Sequence, residues 1–149
     1  MNRILFIFIF CFSFILSCSM PRFIILDDPL SPEEHINLGV AYERKGEFKA
    51  AIKEYEAAAK KNPLAYLYLG NVYFDIKDYE RAEAYYKRAI EENPQNSDAY
   101  NNLAWLYYTT GKNLEEAERL ALKAIELNPS KSSIYEDTLQ KIREQRQTQ

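Results

Sequence analysis

The chain contains few of the residues that build metal centres, disulfide networks and nucleophilic active sites. It has one histidine, His35, and two cysteines, Cys11 and Cys18, among 149 residues. A zinc site needs three or four suitable ligands, and an enzymatic nucleophile needs a base beside it. The sequence therefore predicts no metal, no cofactor and no catalytic residues, and we expect the protein not to be an enzyme.

The chain also lacks a strong excess of charge of one sign. Its 19 basic and 22 acidic residues give a formal net charge of −3. Nucleic-acid-binding surfaces concentrate lysine and arginine in a patch or stripe, and no such run occurs here. We therefore predict no nucleic-acid partner.

Only the start of the chain has a long hydrophobic run. Asn2-Arg3 precedes apolar residues from Ile4 to Leu16, a run too short to cross a bilayer of about 30 Å comfortably and typical of a secretory signal. It ends in Ile15-Leu16-Ser17-Cys18, which resembles the lipobox of bacterial lipoproteins. The resemblance implies lipidation of Cys18 in the bacterial cell envelope, with Ser19 favouring the outer membrane facing the periplasm. The alternative is an ordinary signal peptide with an incidental cysteine.

A pattern of seven positions recurs three times in the rest of the chain. A leucine, a small residue and a tyrosine lead into an alanine-rich stretch that ends at a proline. The three copies are Leu38, Gly39, Tyr42, Ala51, Tyr55, Ala58, Pro63; Leu69, Gly70, Tyr73, Ala82, Tyr86, Ala89, Pro94; and Leu103, Ala104, Tyr107, Ala117, Ala121, Ala124, Pro129. Small residues let two helices approach closely, and proline ends the second helix of each pair.

This pattern resembles the tetratricopeptide repeat, a helix-turn-helix unit of about 34 residues. The resemblance implies an all-α solenoid of three repeats, at about 32–62, 63–96 and 97–129. Before them we expect a cleaved signal peptide at 1–17 and a lipidated N-terminus with its tether at 18–31. After them, 130–149 is expected to form a capping helix and tail, with a truncated fourth repeat as the alternative.

The repeat boundaries carry further local signals. Ser31 and Glu34 have the spacing of a capping box at the start of the first helix. Gly39 and Gly70 are 31 residues apart (70 − 39), so the junction between repeats 1 and 2 is expected to be tight, with Asn62 as N-cap. In repeat 3 we expect one inserted residue in the turn around Lys112–Asn113.

In tetratricopeptide proteins the first helix of each repeat lines a concave groove that binds peptides. The groove positions that the resemblance assigns are Ile36, Asn37, Val40 and Arg44; Leu67, Tyr68, Asn71 and Phe74; and Asn101, Asn102, Trp105 and Tyr108. Amides can hydrogen-bond a peptide backbone while rings cover its apolar side chains. For Trp105 and Phe74, burial against a neighbouring repeat or the tether is an equal alternative.

Some family members grip a C-terminal carboxylate with a lysine–asparagine clamp. Here Ile36 and Val40 stand at the first-repeat positions of that clamp, so we do not expect a receptor for chaperone tails. The sequence instead predicts a membrane-anchored scaffold or adaptor that binds a peptide or protein partner within a bacterial envelope assembly, such as pilus, secretion or cell-wall machinery. The alternative is a self-associating structural lipoprotein, a homo-oligomer without a separate peptide ligand. We expect the apolar run Phe23-Ile24-Ile25-Leu26 to pack on the protein rather than to enter the membrane interface.

Overall fold

The computed structural model describes residues 28–148, which form seven α-helices and no strand. The helices are α1 Pro32–Arg44, α2 Phe48–Ala59, α3 Leu64–Asp75, α4 Tyr79–Glu92, α5 Ser97–Thr110, α6 Leu114–Leu127 and α7 Ser132–Gln147, with a short 3-10 helix at Pro129–Lys131. The predicted signal peptide, Cys18 and the run Phe23-Ile24-Ile25-Leu26 lie outside the described residues. The all-α solenoid of three helix pairs with a further C-terminal helix is confirmed.

Helices adjacent in sequence pack against each other along the whole array. The largest contacts lie within the pairs α1·α2, α3·α4 and α5·α6, and the second helix of each pair also contacts the helix that follows it. The first helices additionally contact one another, α3 with α5 and α5 with α7. Because helices on the inside of a curved array lie closest together, α1, α3, α5 and α7 form its inner row.

A size match between two positions fixes how closely each helix pair packs. A Cβ added to Gly39 would lie 2.4 Å from the Tyr55 ring, and one added to Gly70 would lie 2.4 Å from the Tyr86 ring. In repeat 3 the small residue is Ala104, and the residue that corresponds to the two tyrosines is Ala121. Glycine is therefore needed where a tyrosine fills the space above it.

The turns within the repeats use left-handed backbone at one equivalent position. Gly46 and Gly111 adopt φ values of 74° and 65°, and Lys77 adopts the same conformation at 63°. Asn113 follows in repeat 3 with a φ of 50°. The inserted residue predicted near Lys112–Asn113 is thus accommodated by a second left-handed residue in that turn.

Local capping agrees with the sequence patterns, with one shift. Ser31 and Glu34 form the predicted capping box at the start of α1. Pro63, not Asn62, occupies the N-cap position of α3. Asn62 still caps this helix, because its Oδ1 accepts the Leu64 N–H at 3.0 Å, and its amide also donates to Glu33 of α1 at 3.1 Å. This short junction ties repeats 1 and 2 together.

Helix α7 docks on the last repeat through a buried apolar face and two charged contacts. Tyr135, Leu139 and Ile142 are buried, as the capping-helix prediction requires. The Tyr135 hydroxyl donates to Asp98 at 2.7 Å, and Arg143 Nε donates to Glu118 at 2.7 Å. The opposite face of α7 is polar, so this helix closes the array without leaving a large apolar surface.

Two kinds of feature are absent from residues 28–148. None of the helices in this range has the length and apolarity needed to cross a membrane. The same range contains no group of three or more histidine, cysteine, aspartate or glutamate side chains placed to hold a metal ion.

Candidate functional site

The inner faces of α1, α3 and α5 form a surface that we call the groove. All twelve residues predicted to line it lie on these three helices. The exposed ones are Asn37 and Arg44; the half-buried ones are Val40, Tyr68, Asn71, Phe74, Asn101, Asn102, Trp105 and Tyr108. Ile36 and Leu67 are buried, with 7% and 8% of their surfaces exposed, so they support the groove from below.

A chain of polar side chains crosses the groove from repeat 2 to repeat 3. The Tyr86 hydroxyl donates to Asn71 Oδ1 at 3.0 Å, and the Asn102 amide donates to the same oxygen at 2.9 Å. The Asn101 amide approaches Asn102 Oδ1 at 3.5 Å. Because Tyr86 is 2% exposed, its hydroxyl depends on Asn71, which therefore has a structural role that the sequence pattern does not reveal.

Asn101 contributes an acceptor that has no partner within the described part of the chain. Its Oδ1 is buried and unpaired there. A buried carbonyl without a hydrogen bond is unfavourable, and a donor supplied by a ligand or a water would relieve the cost. This oxygen is itself buried, so it does not form part of the surface that the groove presents.

An aromatic cluster with one cation lies where the groove meets the capping helix. The Trp105 and Tyr108 rings pack at 5.0 Å between centroids, and Lys141 Nζ of α7 lies 5.1 Å from the Trp105 ring centre. Trp105 is half-buried. It is therefore covered on one side by α7 and still presents ring surface to the groove.

The aromatic residues of repeat 2 are held by neighbouring rings. Tyr68 stacks on Tyr55 of α2 at 5.2 Å, and Phe74 packs at a tilt against Tyr79 at 5.6 Å. Both side chains remain half-buried. Their orientations are thus fixed by contacts inside the array, which leaves little rotamer entropy to lose when a partner covers them.

Two carboxylates near the ends of first helices, Glu43 in α1 and Asp75 in α3, add negative charge. Glu43 accepts a hydrogen bond from the Tyr55 hydroxyl at 2.7 Å. Partial burial raises the pKa of Asp75 above its ordinary value. Burial first, and then the charges of Asp75 and Glu43, raise the pKa of Tyr86. The sequence analysis did not single out Glu43, Asp75 or Lys141. Lys141 could have been found by aligning α7 with the first helices of the three repeats.

Comparisons with known proteins agree with this architecture. A family model described as Tetratricopeptide repeat matches residues 36–97 and 69–132, together more than half of the chain. Human tetratricopeptide repeat protein 6 is 35% identical over 71 residues, or 46% of this chain. The mouse BBSome complex member BBS4 is 33% identical over 73 residues, or 48% of this chain. The chain covers only 14% of the length of each of these two relatives.

Solved structures resemble the chain over most of its length. The first repeat domain of Spaghetti (RPAP3), bound to the HSP90 peptide SRMEEVD, superposes with a TM-score of 0.70 at 23% identity and covers 78% of this chain and 94% of that one. The TPR2B domain of yeast Sti1, in complex with an Hsp70 peptide, gives a TM-score of 0.71 at 20% identity and covers 76% and 97%. At such identities the likeness concerns the fold. The helix pairs, their repeated packing positions and the matching family model establish that this chain belongs to the tetratricopeptide repeat family.

Proposed function

We propose that the protein is a non-enzymatic scaffold or adaptor whose groove binds a peptide or protein segment of a partner. Tetratricopeptide repeat proteins are typically scaffolds for protein interactions, and two solved domains of this fold carry bound peptides. The observation that carries the proposal is the row of half-buried amides and rings along α3 and α5. Its rings are oriented in advance by contacts inside the array.

The first-repeat clamp positions and two carboxylates of the first helices disfavour an acidic tail. The first-repeat clamp positions are occupied by Ile36, which is buried, and Val40, which is half-buried. Both side chains are apolar, so neither supplies a cation for a carboxylate. Glu43 near the end of α1 and Asp75 at the end of α3 would repel an acidic peptide beside them. We therefore propose a partner segment that places apolar side chains on Tyr68, Phe74 and Trp105 while its backbone meets the amides.

We further propose that this scaffold is held at a bacterial membrane by a lipid on Cys18, in an envelope assembly. The support is the pattern Ile15-Leu16-Ser17-Cys18 after an apolar run. Several acyl chains on one residue give a stable anchor. Mass spectrometry of the protein from its native membrane tests this: the N-terminal peptide should begin at Cys18 and carry lipid, and a Cys18→Ser variant should leave the membrane fraction. A Cys11→Ser variant is the matched control and should stay there.

Site-specific photo-crosslinking in living cells tests the proposed binding. A photoreactive residue replaces Asn37, which is exposed on α1 in the groove, or Leu122, which is 44% exposed on α6 outside it. The proposal expects a distinct crosslinked protein from position 37 that is absent from position 122. Equal capture at both positions would contradict groove binding. Crosslinks only between copies of the chain would favour the self-associating alternative.

A further inference from the structure

The first helix of the array lacks the neighbour that the other first helices have. α3 packs against the preceding α2, and α5 packs against the preceding α4, whereas no helix precedes α1 among the described residues. The residues of α3 and α5 at four equivalent positions are buried: Ala65, Leu69, Val72 and Tyr73 in α3, and Ala99, Leu103, Leu106 and Tyr107 in α5. These positions therefore mark the face that a preceding element covers.

The corresponding residues of α1 form a face that nothing covers in the described part of the chain. They are Glu34, Leu38, Ala41 and Tyr42, of which Glu34 and Ala41 are exposed and Leu38 and Tyr42 are half-buried. Their spacing places them on one side of the helix. We call this surface the uncovered face of α1. Two of its members are large side chains that the equivalent repeat positions bury, so it is suited to an apolar partner.

Where the chain enters α1, it is held by contacts with His35 of that helix, which in turn contacts α2. Asp28 Oδ2 lies 3.2 Å from His35 Nε2, and Glu54 of α2 holds the other ring nitrogen of His35 at 2.8 Å. His35 precedes Leu38 by three residues and Tyr42 by seven, so all three lie along one stripe of the helix. The histidine with its two carboxylates therefore fixes Asp28 against α1, at the edge of the uncovered face.

The residues just before Asp28 have the length and composition to cover that face. From His35 to Tyr42 the helix rises about 10 Å at 1.5 Å per residue. The four residues 24–27 can span up to about 13 Å when extended. They separate Asp28 from Phe23, the first residue of the run Phe23-Ile24-Ile25-Leu26, which stands between Pro21-Arg22 and Asp27-Asp28. In an extended segment alternate side chains share a face, so two of the four apolar residues of the run would point at α1.

We propose that Phe23-Ile24-Ile25-Leu26 docks on the uncovered face of α1 and serves as the N-terminal cap of the solenoid. The segment then covers the face that α2 covers on α3, just as α7 closes the other end. The domain would consequently begin at residue 23, with the His35 contacts to Asp28 and Glu54 as the fixed point from which the cap extends. This inference does not depend on what the groove binds.

Disulfide trapping in the full chain, purified in detergent, tests the position of the segment. In a Cys11→Ser/Cys18→Ser background, Ile24→Cys or Ile25→Cys is combined with Ala41→Cys on the uncovered face. The matched control combines the same substitutions with Ala84→Cys, another exposed alanine, on α4. Cysteines can be bridged only when their Cα atoms approach within about 7 Å. One of the two Ala41→Cys pairs should form an intramolecular disulfide several-fold faster than its Ala84→Cys counterpart.

Two results of the trapping experiment would overturn the proposal. Equal rates with Ala41→Cys and Ala84→Cys would mean that the segment has no preferred position. Disulfides between differently tagged chains, formed in place of intramolecular ones, would mean that a second copy covers the face. Hydrogen exchange gives an independent check: Ile24→Ser/Ile25→Ser should speed amide exchange in α1 several-fold, whereas Leu122→Ser/Ile134→Ser, two exposed apolar residues elsewhere, should not. Unchanged α1 exchange in the first variant would also overturn the cap.

Discussion

In repeats 1 and 2 the small residue of the first helix faces an aromatic residue of the second helix. Gly70→Ala should therefore change the free energy of unfolding in opposite directions in the presence and in the absence of the Tyr86 ring. Gly70→Ala should destabilise the wild-type protein, because the new Cβ would lie 2.4 Å from Cδ1 and Cε1 of Tyr86. The ring has little room to move, since Tyr86 is 2% exposed and its hydroxyl is bonded to Asn71. Overpacking of this kind costs about 1–3 kcal/mol.

The same substitution should stabilise a protein that lacks the tyrosine ring. Tyr86→Ala by itself should lower the free energy of unfolding by about 3–5 kcal/mol, the usual cost of truncating a buried aromatic side chain. In that background the added Cβ meets no ring, and Gly70→Ala recreates the pair that repeat 3 already has, Ala104 with Ala121. Alanine is favoured over glycine inside a helix by about 1 kcal/mol, so the double variant should be more stable than Tyr86→Ala.

Urea denaturation followed by circular dichroism measures all four proteins of the cycle. The coupling between the two sites should be about 2–4 kcal/mol, the sum of the overlap cost and the recovered helix propensity. Gly39→Ala with Tyr55→Ala offers an internal repetition in repeat 1, where the added Cβ would meet the ring at the same 2.4 Å. If Gly70→Ala changes stability equally with and without the Tyr86 ring, the glycine is not required by that contact and the reasoning fails.

Three further predictions concern single sites. Asn71→Ala should lower the free energy of unfolding by about 1–3 kcal/mol, because it leaves the buried Tyr86 hydroxyl without its acceptor; an unchanged urea midpoint would contradict the hydrogen-bond chain. Lys77→Gly should raise stability by about 1 kcal/mol in the same assay, since Lys77 is held at a φ of 63°, where residues other than glycine are strained; a loss of stability would refute the strained turn. Hydrogen bonds from Arg143 and Arg146 hold the pKa of Glu118 below its ordinary 4.5. The stability that ionised Glu118 adds is therefore fully present above pH 4.5. It is lost as the pH falls through the lowered pKa. The thermal midpoint of wild type should therefore exceed that of Glu118→Gln at pH 7, by an amount worth less than about 1 kcal/mol, and the gap should close in acid; a gap independent of pH would count against the ion pairs.

The fold could be predicted from the sequence because the same packing positions occur in three successive repeats. Gly70 alone is a weak signal, but its agreement with Gly39 and Ala104 fixes the register of every helix pair. The capping box at Ser31 was equally predictable, since it depends on residues three apart. The exact start of α3 was less predictable, because it depends on how α2 and α3 meet. Asn62 caps α3 through its side chain, while Pro63 occupies the N-cap position.

The groove was predictable as a set of positions but not as a set of contacts. Asn71 looks like a free amide on a helix face, yet Tyr86 and Asn102, from two other helices, both donate to its oxygen. Lys141 reaches Trp105 only because α7 takes the place of a fourth first helix. Such contacts join residues 15 to 36 positions apart along the chain, and no local periodicity encodes them.

The most direct test of the central claim is an equilibrium titration with the segment that photo-crosslinking at Asn37 identifies. A synthetic peptide of that segment is titrated against wild type, Trp105→Ala and the matched outer-surface variant Leu122→Ala, with affinity measured by fluorescence anisotropy of a labelled peptide. Loss of an aromatic contact that anchors a peptide typically costs at least about 1 kcal/mol, or roughly fivefold or more in affinity. The account predicts such a loss for Trp105→Ala and an unchanged affinity for Leu122→Ala. Equal affinities for all three proteins would contradict binding in the groove.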